Sequence, residues 1–189
     1  ENLISVIKEL KISKIVFSST AAVYKEKNSS LTEEDNVKPK SNYGKSKILA
    51  EDLIRKNKKL KFIILRFFNV SSSLTEPLVG EHHLPETHFI PTLVFRSLKN
   101  QTTKVFGRNY NTDDGTCIRD YIHIKDVCSS IEKSIIYLSK KNYKSEIINI
   151  GNELGISNLQ ILEVLKKKLR CKIKVLFTRR RLGDPARLV

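Results

Sequence analysis

Segments of strand length alternate with amphipathic segments of helical length along this chain of 189 residues. The spacing of apolar residues predicts helices over residues 1–10, 41–58, 88–99, 126–139 and 157–170, and strands over residues 14–17, 61–68, 103–106, 121–124, 146–150 and 172–177. Strands that alternate with helices are typical of α/β proteins, because the helix between two parallel strands crosses over the sheet. The sequence therefore predicts an α/β fold with a mainly parallel sheet.

Polar side chains are expected at or just after the ends of three predicted strands. They are Thr20, Asn69 and Arg119. Ligands of open parallel sheets bind beyond the carboxyl ends of the strands. We therefore expect these three side chains to contribute to one shared site.

The strongest chemical signal is the segment Tyr43-Gly-Lys-Ser-Lys47 at the start of the predicted helix 41–58, for which Ser41 is the expected cap. Residues four apart on a helix share a face. A free phenol has a pKa near ~10, and a neighbouring ammonium favours its deprotonated form. With the Thr20 hydroxyl as a relay, this pair can take a proton from an alcohol while hydride leaves to a nicotinamide. The alternative is an ordinary surface occurrence of YxxxK.

The net charge of +15 does not indicate nucleic-acid binding, because the lysines are scattered over many segments without interleaved aromatic residues. The charge favours anionic small molecules instead. Cys117, Cys128 and Cys171 are widely spaced and are interpreted as reduced residues of a cytoplasmic protein. We expect no secretory signal and no membrane span, because the apolar runs are only as long as strands.

The chain lacks the GxxGxxG loop with which a nicotinamide enzyme holds the pyrophosphate of its cofactor. It contains no Met, and its first helical pattern begins at Glu1 without a cap. Together these features lead us to expect a fragment whose N-terminal NAD-binding part is missing. Whether that part is encoded elsewhere, and whether the fragment folds or acts alone, stays open.

Seven stretches carry a resemblance to a known family. They are residues 17–24 (FSSTAAVY), 43–47 (YGKSK), 65–70 (LRFFNV), 80–88 (GEHHLPETH), 106–107 (FG), 114–123 (DGTCIRDYIH) and 180–184 (RRLGD). On them the chain resembles the UDP-glucose 4-epimerases of the extended short-chain dehydrogenase/reductase superfamily. YxxxK is common to that superfamily, whereas residues 80–88 and 114–123 are more specific.

The resemblance implies a fold, an activity and an assembly. The fold would be a Rossmann-type doubly wound parallel sheet, whose C-terminal part is residues 1–70, and a smaller α/β domain for the UDP-sugar in residues 71–189, some of which return to the Rossmann sheet. The implied activity is NAD-dependent epimerisation at C4, which interconverts UDP-glucose and UDP-galactose in galactose metabolism through a 4-keto intermediate. The full-length enzyme is expected to be a homodimer.

The resemblance also implies roles for individual residues. The expected catalytic residues are Tyr43, Thr20 and Lys47. The expected NAD contacts are Ser18, Ser19, Tyr43, Lys47 and Phe67. The expected substrate contacts are Thr20, Asn69, His88, Phe89, Lys104, Val105, Phe106, Arg119, Arg181 and Asp184. Guanidinium groups suit a diphosphate because they bond phosphate oxygens in a planar fork.

Alternatives remain at this stage. Arg119 could instead pair locally with Asp120, and residues 179–181 could form a solvated basic turn. Another nucleotide-sugar epimerase or a dehydratase of the superfamily is the nearest rival, although Ala21 and Ala22 stand where a dehydratase would need carboxylates. A rival of another class is an inactive UDP-sugar-binding fragment of a split or decayed gene. The preference between glucose/galactose and N-acetylhexosamines is also open.

Histidines and glutamates cluster in residues 81–88. His82 and His83 are adjacent, and adjacent side chains usually point apart; no HExxH is present either. The sequence therefore predicts no metal site.

Overall fold

The computed structural model describes residues 2–189. The helices are α1 (Asn2–Glu9), α2 (Asn42–Lys56), α3 (Phe89–Leu98), α4 (Ile124–Ser139) and α5 (Asn158–Leu169), with a 3-10 turn at Ala21–Val23. The strands are β1 (Lys14–Thr20), β2 (Lys61–Phe67), β3 (Asn69–Val70), β4 (Leu74–Thr75), β5 (Leu78–Val79), β6 (Thr102–Phe106), β7 (Ile118–Ile122), β8 (Glu146–Ile150), β9 (Gly155–Ser157), β10 (Lys174–Thr178) and β11 (Arg187–Leu188). Residue 1 of the first predicted helix lies outside the described residues.

The largest parallel sheet has the strand order β1-β2-β8. In its register Thr20 lies opposite Phe67, and Phe67 lies opposite Ile150. The carboxyl ends of the three strands therefore meet at one edge. The prediction of an α/β protein with mainly parallel pairing is confirmed, and β8 comes from the later part of the chain to join the first two strands.

Helices cover both faces of this sheet because successive residues of β2 point to opposite sides. Ile64 packs with Ile7 of α1 and Ile54 of α2. Ile63 and Leu65 pack on the other side with Leu138 of α4. Burial of each such side chain contributes about 1.5–3 kcal/mol, so β2 is the centre of the core.

A second apolar core lies around the parallel pair β6 and β10, where Leu93 of α3, Val105 of β6 and Leu162 of α5 pack together. Next to it, β7 pairs in parallel with β3 and β11 and antiparallel with β9. Because β3 directly follows β2, this arrangement connects the two cores close to the carboxyl edge of the large sheet.

Local capping signals mark the starts of two helices, one at the expected cap Ser41 and one at the capping-box spacing of Ser157 and Gln160. The Ser41 hydroxyl accepts a hydrogen bond of 3.0 Å from the Gly44 amide at the start of α2. Ser157 and Gln160 form a reciprocal capping box at the start of α5. Within residues 2–189, no helix combines the length and the apolar character that a membrane span requires.

The structure corrects some sequence-based boundaries. β1 extends through Thr20, and β7 begins at Ile118, so Arg119 lies inside a strand rather than after one. The short strands β9 and β11 were not predicted, because two or three residues carry too little periodicity.

The buried face of α2 also differs from the prediction. Helical spacing places Ile48, Leu49, Leu53 and Ile54 on one side of the helix, which predicts that this side is buried, but Leu49 is 64% and Leu53 38% exposed. The fully buried positions are Gly44, Glu51 and Ile54. The buried side of α2 thus carries the charged residue Glu51. A search for periodic apolar residues cannot find such a position.

Candidate active site

The start of α2 lies directly against the turn that follows β1. A Cβ atom on Gly44 would lie 2.8 Å from the Cβ of Pro39 and still closer to the carbonyl oxygen of Ala22. Only glycine permits this approach. It places the first turn of α2, with Tyr43, beside the end of the strand that carries Thr20.

Lys47 connects α2 to β1. Its Nζ donates a hydrogen bond of 2.8 Å to the backbone oxygen of Ser18. The same nitrogen lies 5.8 Å from the centroid of the Tyr43 ring and 5.2 Å from that of Phe17. The ammonium is thus held near the ring of a tyrosine that is 56% exposed.

Thr20 ends β1 and caps the following turn. Its Oγ1 accepts a hydrogen bond of 3.2 Å from the Ala22 amide. A hydroxyl has one proton to donate and two lone pairs. The Thr20 proton is therefore still available to another acceptor, as a proton relay requires.

Thr20, Tyr43 and Lys47 line one cleft of about 790 Å³. That volume is within the range of small-molecule sites, roughly 300–1,000 Å³. Other predicted site residues line the same cleft: Ser18, Ser19, Phe67, Asn69, His88, Arg119 and Asp184. The tertiary structure therefore brings together the residues predicted for proton transfer and several of those predicted for a nucleotide.

A second cleft of about 410 Å³ is lined by the other predicted substrate residues Phe89, Lys104, Phe106 and Arg181. It shares Asn69, His88, Arg119 and Asp184 with the first cleft. The shared residues form the boundary between the two clefts. One extended ligand could therefore contact both.

Arg119 is positioned by groups far away in the sequence. It is 8% exposed, and its Nη2 lies 3.4 Å from Oδ1 of Asp184. Asp120 is directed elsewhere: its Oδ2 accepts hydrogen bonds from the amides of Asn152 and Glu153, at 2.7 and 2.9 Å. Burial raises the pKa of Asp120 on balance, although the two hydrogen bonds from backbone amides lower it. The alternative of a local pair between Arg119 and Asp120 is wrong, since successive strand residues point to opposite faces.

Arg181 stacks on an aromatic side chain. Its guanidinium carbon lies 4.0 Å from the centroid of the Phe106 ring. A planar guanidinium on a ring face is favoured electrostatically and restricts the side chain. In the segment 179–181, Arg181 is therefore directed into the second cleft rather than being only a solvated charge.

Val105 is the exception among the predicted substrate residues. Its side chain is fully buried and packs in the core with Leu93 and Leu162. It lines neither cleft. In β6 the neighbours Lys104 and Phe106 point to the side opposite Val105, and both line the second cleft.

The structure reveals a buried polar network that sequence reasoning missed. Glu51 and Arg66 form a two-pronged ion pair, with distances of 2.6 and 3.1 Å. The other partner of Glu51 is the Ser19 hydroxyl, which donates to its Oε1. The Arg66 guanidinium carbon also lies 4.7 Å from the Tyr24 ring centroid. The Ser19 side chain is therefore engaged inside the protein, next to Thr20.

A sequence signal for this network exists. Glu51 follows Lys47 by four residues and Tyr43 by eight, which places all three on one side of α2. Glu51 is an acidic residue on the side of α2 that carries Tyr43 and Lys47. The next strand contains a single arginine, Arg66. The sequence could therefore have suggested that Glu51 and Arg66 pair.

The chain is similar to known proteins along nearly its whole length. Residues 1–151 match the family described as NAD dependent epimerase/dehydratase. The chain is 38% identical over 192 residues to a UDP-glucose 4-epimerase of Lacticaseibacillus casei, covering 99% of this chain and 58% of that protein. It is 36% identical over 198 residues to the enzyme of that name from Mycoplasma genitalium, covering 100% of this chain and 58% of that protein.

Solved structures agree with these relatives. A crystal structure of UDP-glucose 4-epimerase has a TM-score of 0.88 at 36% identity, with 99% of this chain and 58% of that chain covered. That of the Bifidobacterium longum enzyme in complex with NAD⁺ and UDP has a TM-score of 0.88 at 29% identity, with 98% and 57% covered. The present chain spans a little under three fifths of the length of these proteins.

Proposed function

Because the chain belongs to the NAD dependent epimerase/dehydratase family, we propose that it provides the proton-transfer residues and the UDP-sugar site of a UDP-glucose 4-epimerase. The proposed reaction interconverts UDP-glucose and UDP-galactose through a 4-keto sugar and serves galactose metabolism. The names of its relatives support this proposal over the other epimerases and dehydratases of the superfamily.

The observation that carries the proposal is the shared boundary of the two clefts. Tyr43, Lys47 and Thr20 line one cleft, and Arg181 lines the other. Arg119 lies between them and lines both. A sugar at the tyrosine and a diphosphate at the arginines would therefore belong to one molecule.

The residues around Lys47 fit one end of a nicotinamide dinucleotide. Lys47 has three N–H donors, and the Ser18 oxygen accepts one of them. The others remain for the hydroxyls of a ribose, and Phe67 lines the same cleft. The chain itself offers no glycine-rich loop after a strand for the pyrophosphate. Bound NAD would supply the acceptor, and later the donor, of a hydride.

Proton transfer is assigned to this chain's own side chains. Tyr43 takes the proton of the C4 hydroxyl through Thr20, while the C4–H bond breaks and its hydrogen leaves as hydride. The Lys47 ammonium stabilises the phenolate that begins the step. Return of hydride to the other face of the 4-keto sugar, and of the proton from Tyr43 to its oxygen, gives the epimer.

Holding the nucleotide is assigned to the second cleft. Arg119 and Arg181 bind the diphosphate, since planar guanidinium groups bond phosphate in forks. Asp184 is assigned to the uridine ribose, and Phe89, Lys104, Phe106, Asn69 and His88 complete the wall. Anchoring at this end leaves the sugar free to turn about its phosphate linkage, which presents its opposite face.

We further propose a cytoplasmic location and a homodimeric assembly. The three cysteines are free, as expected in a reducing compartment. The exposed Leu49 and Leu53 on α2 offer an apolar contact for a second copy.

The decisive experiment incubates the protein with UDP-glucose and NAD and measures UDP-galactose, alongside calorimetric titration of UDP. The 189 residues alone are expected to bind UDP without forming product, because they offer no glycine-rich loop for the cofactor pyrophosphate. Product formation is expected once they are joined to the N-terminal NAD-binding part of a relative, and its absence in that joined protein would favour the alternative of an inactive UDP-sugar-binding fragment. Failure to bind UDP would overturn the assignment of the second cleft.

A further inference from the structure

Four potential metal ligands meet in the segment between β5 and α3. They are Glu81, His83, Glu86 and His88, and one ligand atom of each lies within 4.8 Å of those of the other three. We call these four residues the loop cluster. Glutamate and histidine alternate along the loop cluster, and successive members are two, three and two residues apart. This spacing differs from that of a helical metal-binding motif such as HExxH.

The contacts inside the loop cluster converge on one imidazole. Nδ1 of His88 lies 2.7 Å from Oε1 of Glu81 and 3.0 Å from Oε1 of Glu86. His83 adds a second imidazole, whose Nδ1 lies 3.9 Å from the same Glu86 oxygen. The two rings are 5.3 Å apart between centroids.

This arrangement offers a cation a bonding position, although Oε1 of Glu86 also accepts a hydrogen bond of 2.7 Å from the backbone amide of His88. Two carboxylates approach a single ring nitrogen, which can offer at most one proton to both. A dication between the two carboxylates and the two imidazoles would instead bond one oxygen of each carboxylate and one nitrogen of each imidazole. We propose that the loop cluster binds one transition-metal dication of the zinc type through Glu81, His83, Glu86 and His88.

The donor set selects the class of metal. Imidazole nitrogen suits zinc, nickel, copper and cobalt, whereas magnesium and calcium prefer sites made only of oxygen. Tetrahedral zinc has bonds of about 2.0–2.2 Å to such ligands, which separates them by about 3.4 Å. The observed spread of up to 4.8 Å is thus closed by rotations of side chains that are partly solvent-exposed.

The structure explains why the sequence predicted no metal here. The adjacent pair was expected to point apart, and of the two only His83 belongs to the loop cluster. The partner of His83 is His88, five residues later, because the chain turns between them. The folded loop therefore provides what a contiguous motif does not.

The loop cluster also lies at the proposed active site. Glu81 and His88 line the first cleft, and Glu86 and His88 line the second. Metal binding would therefore fix the segment that forms one wall of both clefts. The inference itself rests on the donor geometry and does not depend on the proposed function.

The test uses chelator-treated protein and needs no enzymatic activity. Calorimetry with Zn²⁺ and absorption spectroscopy with Co²⁺ are expected to show one equivalent bound, with a tetrahedral Co²⁺ spectrum that lacks thiolate charge-transfer bands. His83→Ala and His88→Ala should each weaken binding by more than about tenfold, since even outer partners of a metal site affect affinity 10–100-fold. Glu86→Gln should also weaken it.

His82→Ala is the matched control, because His82 is in the same loop but outside the loop cluster. Its metal affinity should equal that of the unchanged protein. Circular dichroism of each variant without metal checks that the fold is retained. Equal losses in the His82 and His83 variants, thiolate bands from a cysteine site, or no stoichiometric binding would each overturn the proposal.

Discussion

The carboxylate of Glu51 and the guanidinium of Arg66 form an ion pair of 2.6 Å in which the side chains are 0% and 2% exposed. The pair joins α2, which carries Tyr43 and Lys47, to β2 at the centre of the sheet. Glu51 also accepts a hydrogen bond from the Ser19 hydroxyl. This bond links it to the end of β1, the strand that carries Thr20. One buried carboxylate thus connects all three elements behind the proposed catalytic residues.

Glu51→Gln should destabilise the protein strongly. The substitution leaves the Arg66 charge buried without its partner, and breaking a buried pair in this way costs about 3–5 kcal/mol. Urea denaturation measures the free energy of unfolding of each variant. Asp52→Asn is the matched control: its pair with Arg55 is exposed and 3.7 Å long, so a change within about 0.5 kcal/mol is expected. Similar values for both variants would contradict the importance of the buried pair.

Gly44→Ala should lower stability by about 1–3 kcal/mol, because the added methyl group would press on Ala22 and Pro39 where no space exists. Thermal unfolding is a sufficient measurement. The control is Gly80→Ala, since nothing lies within 4 Å of a Cβ atom at that position. A neutral Gly44 variant would show that α2 can move away from β1 at little cost.

In a protein that joins this chain to the N-terminal NAD-binding part of a relative, Tyr43→Phe should reduce epimerase turnover by at least ~100-fold, as expected for loss of a general acid–base, with little change in UDP affinity. Turnover of UDP-glucose and calorimetric titration of UDP separate the two effects. Lys45→Ala provides the control, because Lys45 is an exposed residue of the same helical turn. Full turnover in the phenylalanine variant would remove Tyr43 from the mechanism.

Arg119→Ala and Arg181→Ala should each weaken UDP binding by about 1.5–3 kcal/mol, the usual scale of hydrogen bonds to charged groups. Arginine-to-lysine variants should recover only part of this loss, because lysine lacks the planar fork. Isothermal titration measures the UDP affinity of each variant, and titration at two salt concentrations shows how far the affinity depends on charge.

The matched control for these variants is Arg179→Ala, since Arg179 is exposed and lines neither cleft. If all three alanine variants bound UDP as tightly as the unchanged protein, the arginines would be ordinary surface charges and the substrate would need to be reconsidered.

Asp114→Asn should make stability less dependent on acid pH. Burial alone would raise the pKa of Asp114, but hydrogen bonds from Ser157 and Thr116 outweigh it and lower the pKa on balance. A carboxyl with a lowered pKa in the folded state contributes stability above its unfolded value, ~3.9, and loses it as the pH falls through the folded value.

Urea unfolding of the Asp114 variant should therefore show a larger deficit at pH 7 than at pH 3. Asp113→Asn, at the exposed neighbouring position, should show no such difference. A deficit of equal size at both pH values would mean that the charge of Asp114 is not involved.

Features that depend on neighbours along the chain could be predicted from sequence. Alternation of apolar periods indicated an α/β fold, and the Ser41 and Ser157 caps fell at the observed helix starts. The spacing of Tyr43 and Lys47 placed both on one side of α2. Each depends only on the helical or strand repeat, which any chain with the same local pattern would share.

Partners distant in sequence were decided by the tertiary structure alone. Arg119 pairs with Asp184 rather than with adjacent Asp120, and Glu51 finds Arg66 across the core. His83 joins His88 instead of His82 only because residues 81–88 fold back on themselves. Local spacing sets the face on which a side chain stands, but which group it meets depends on how helices and strands pack, and that packing is determined by the whole core at once.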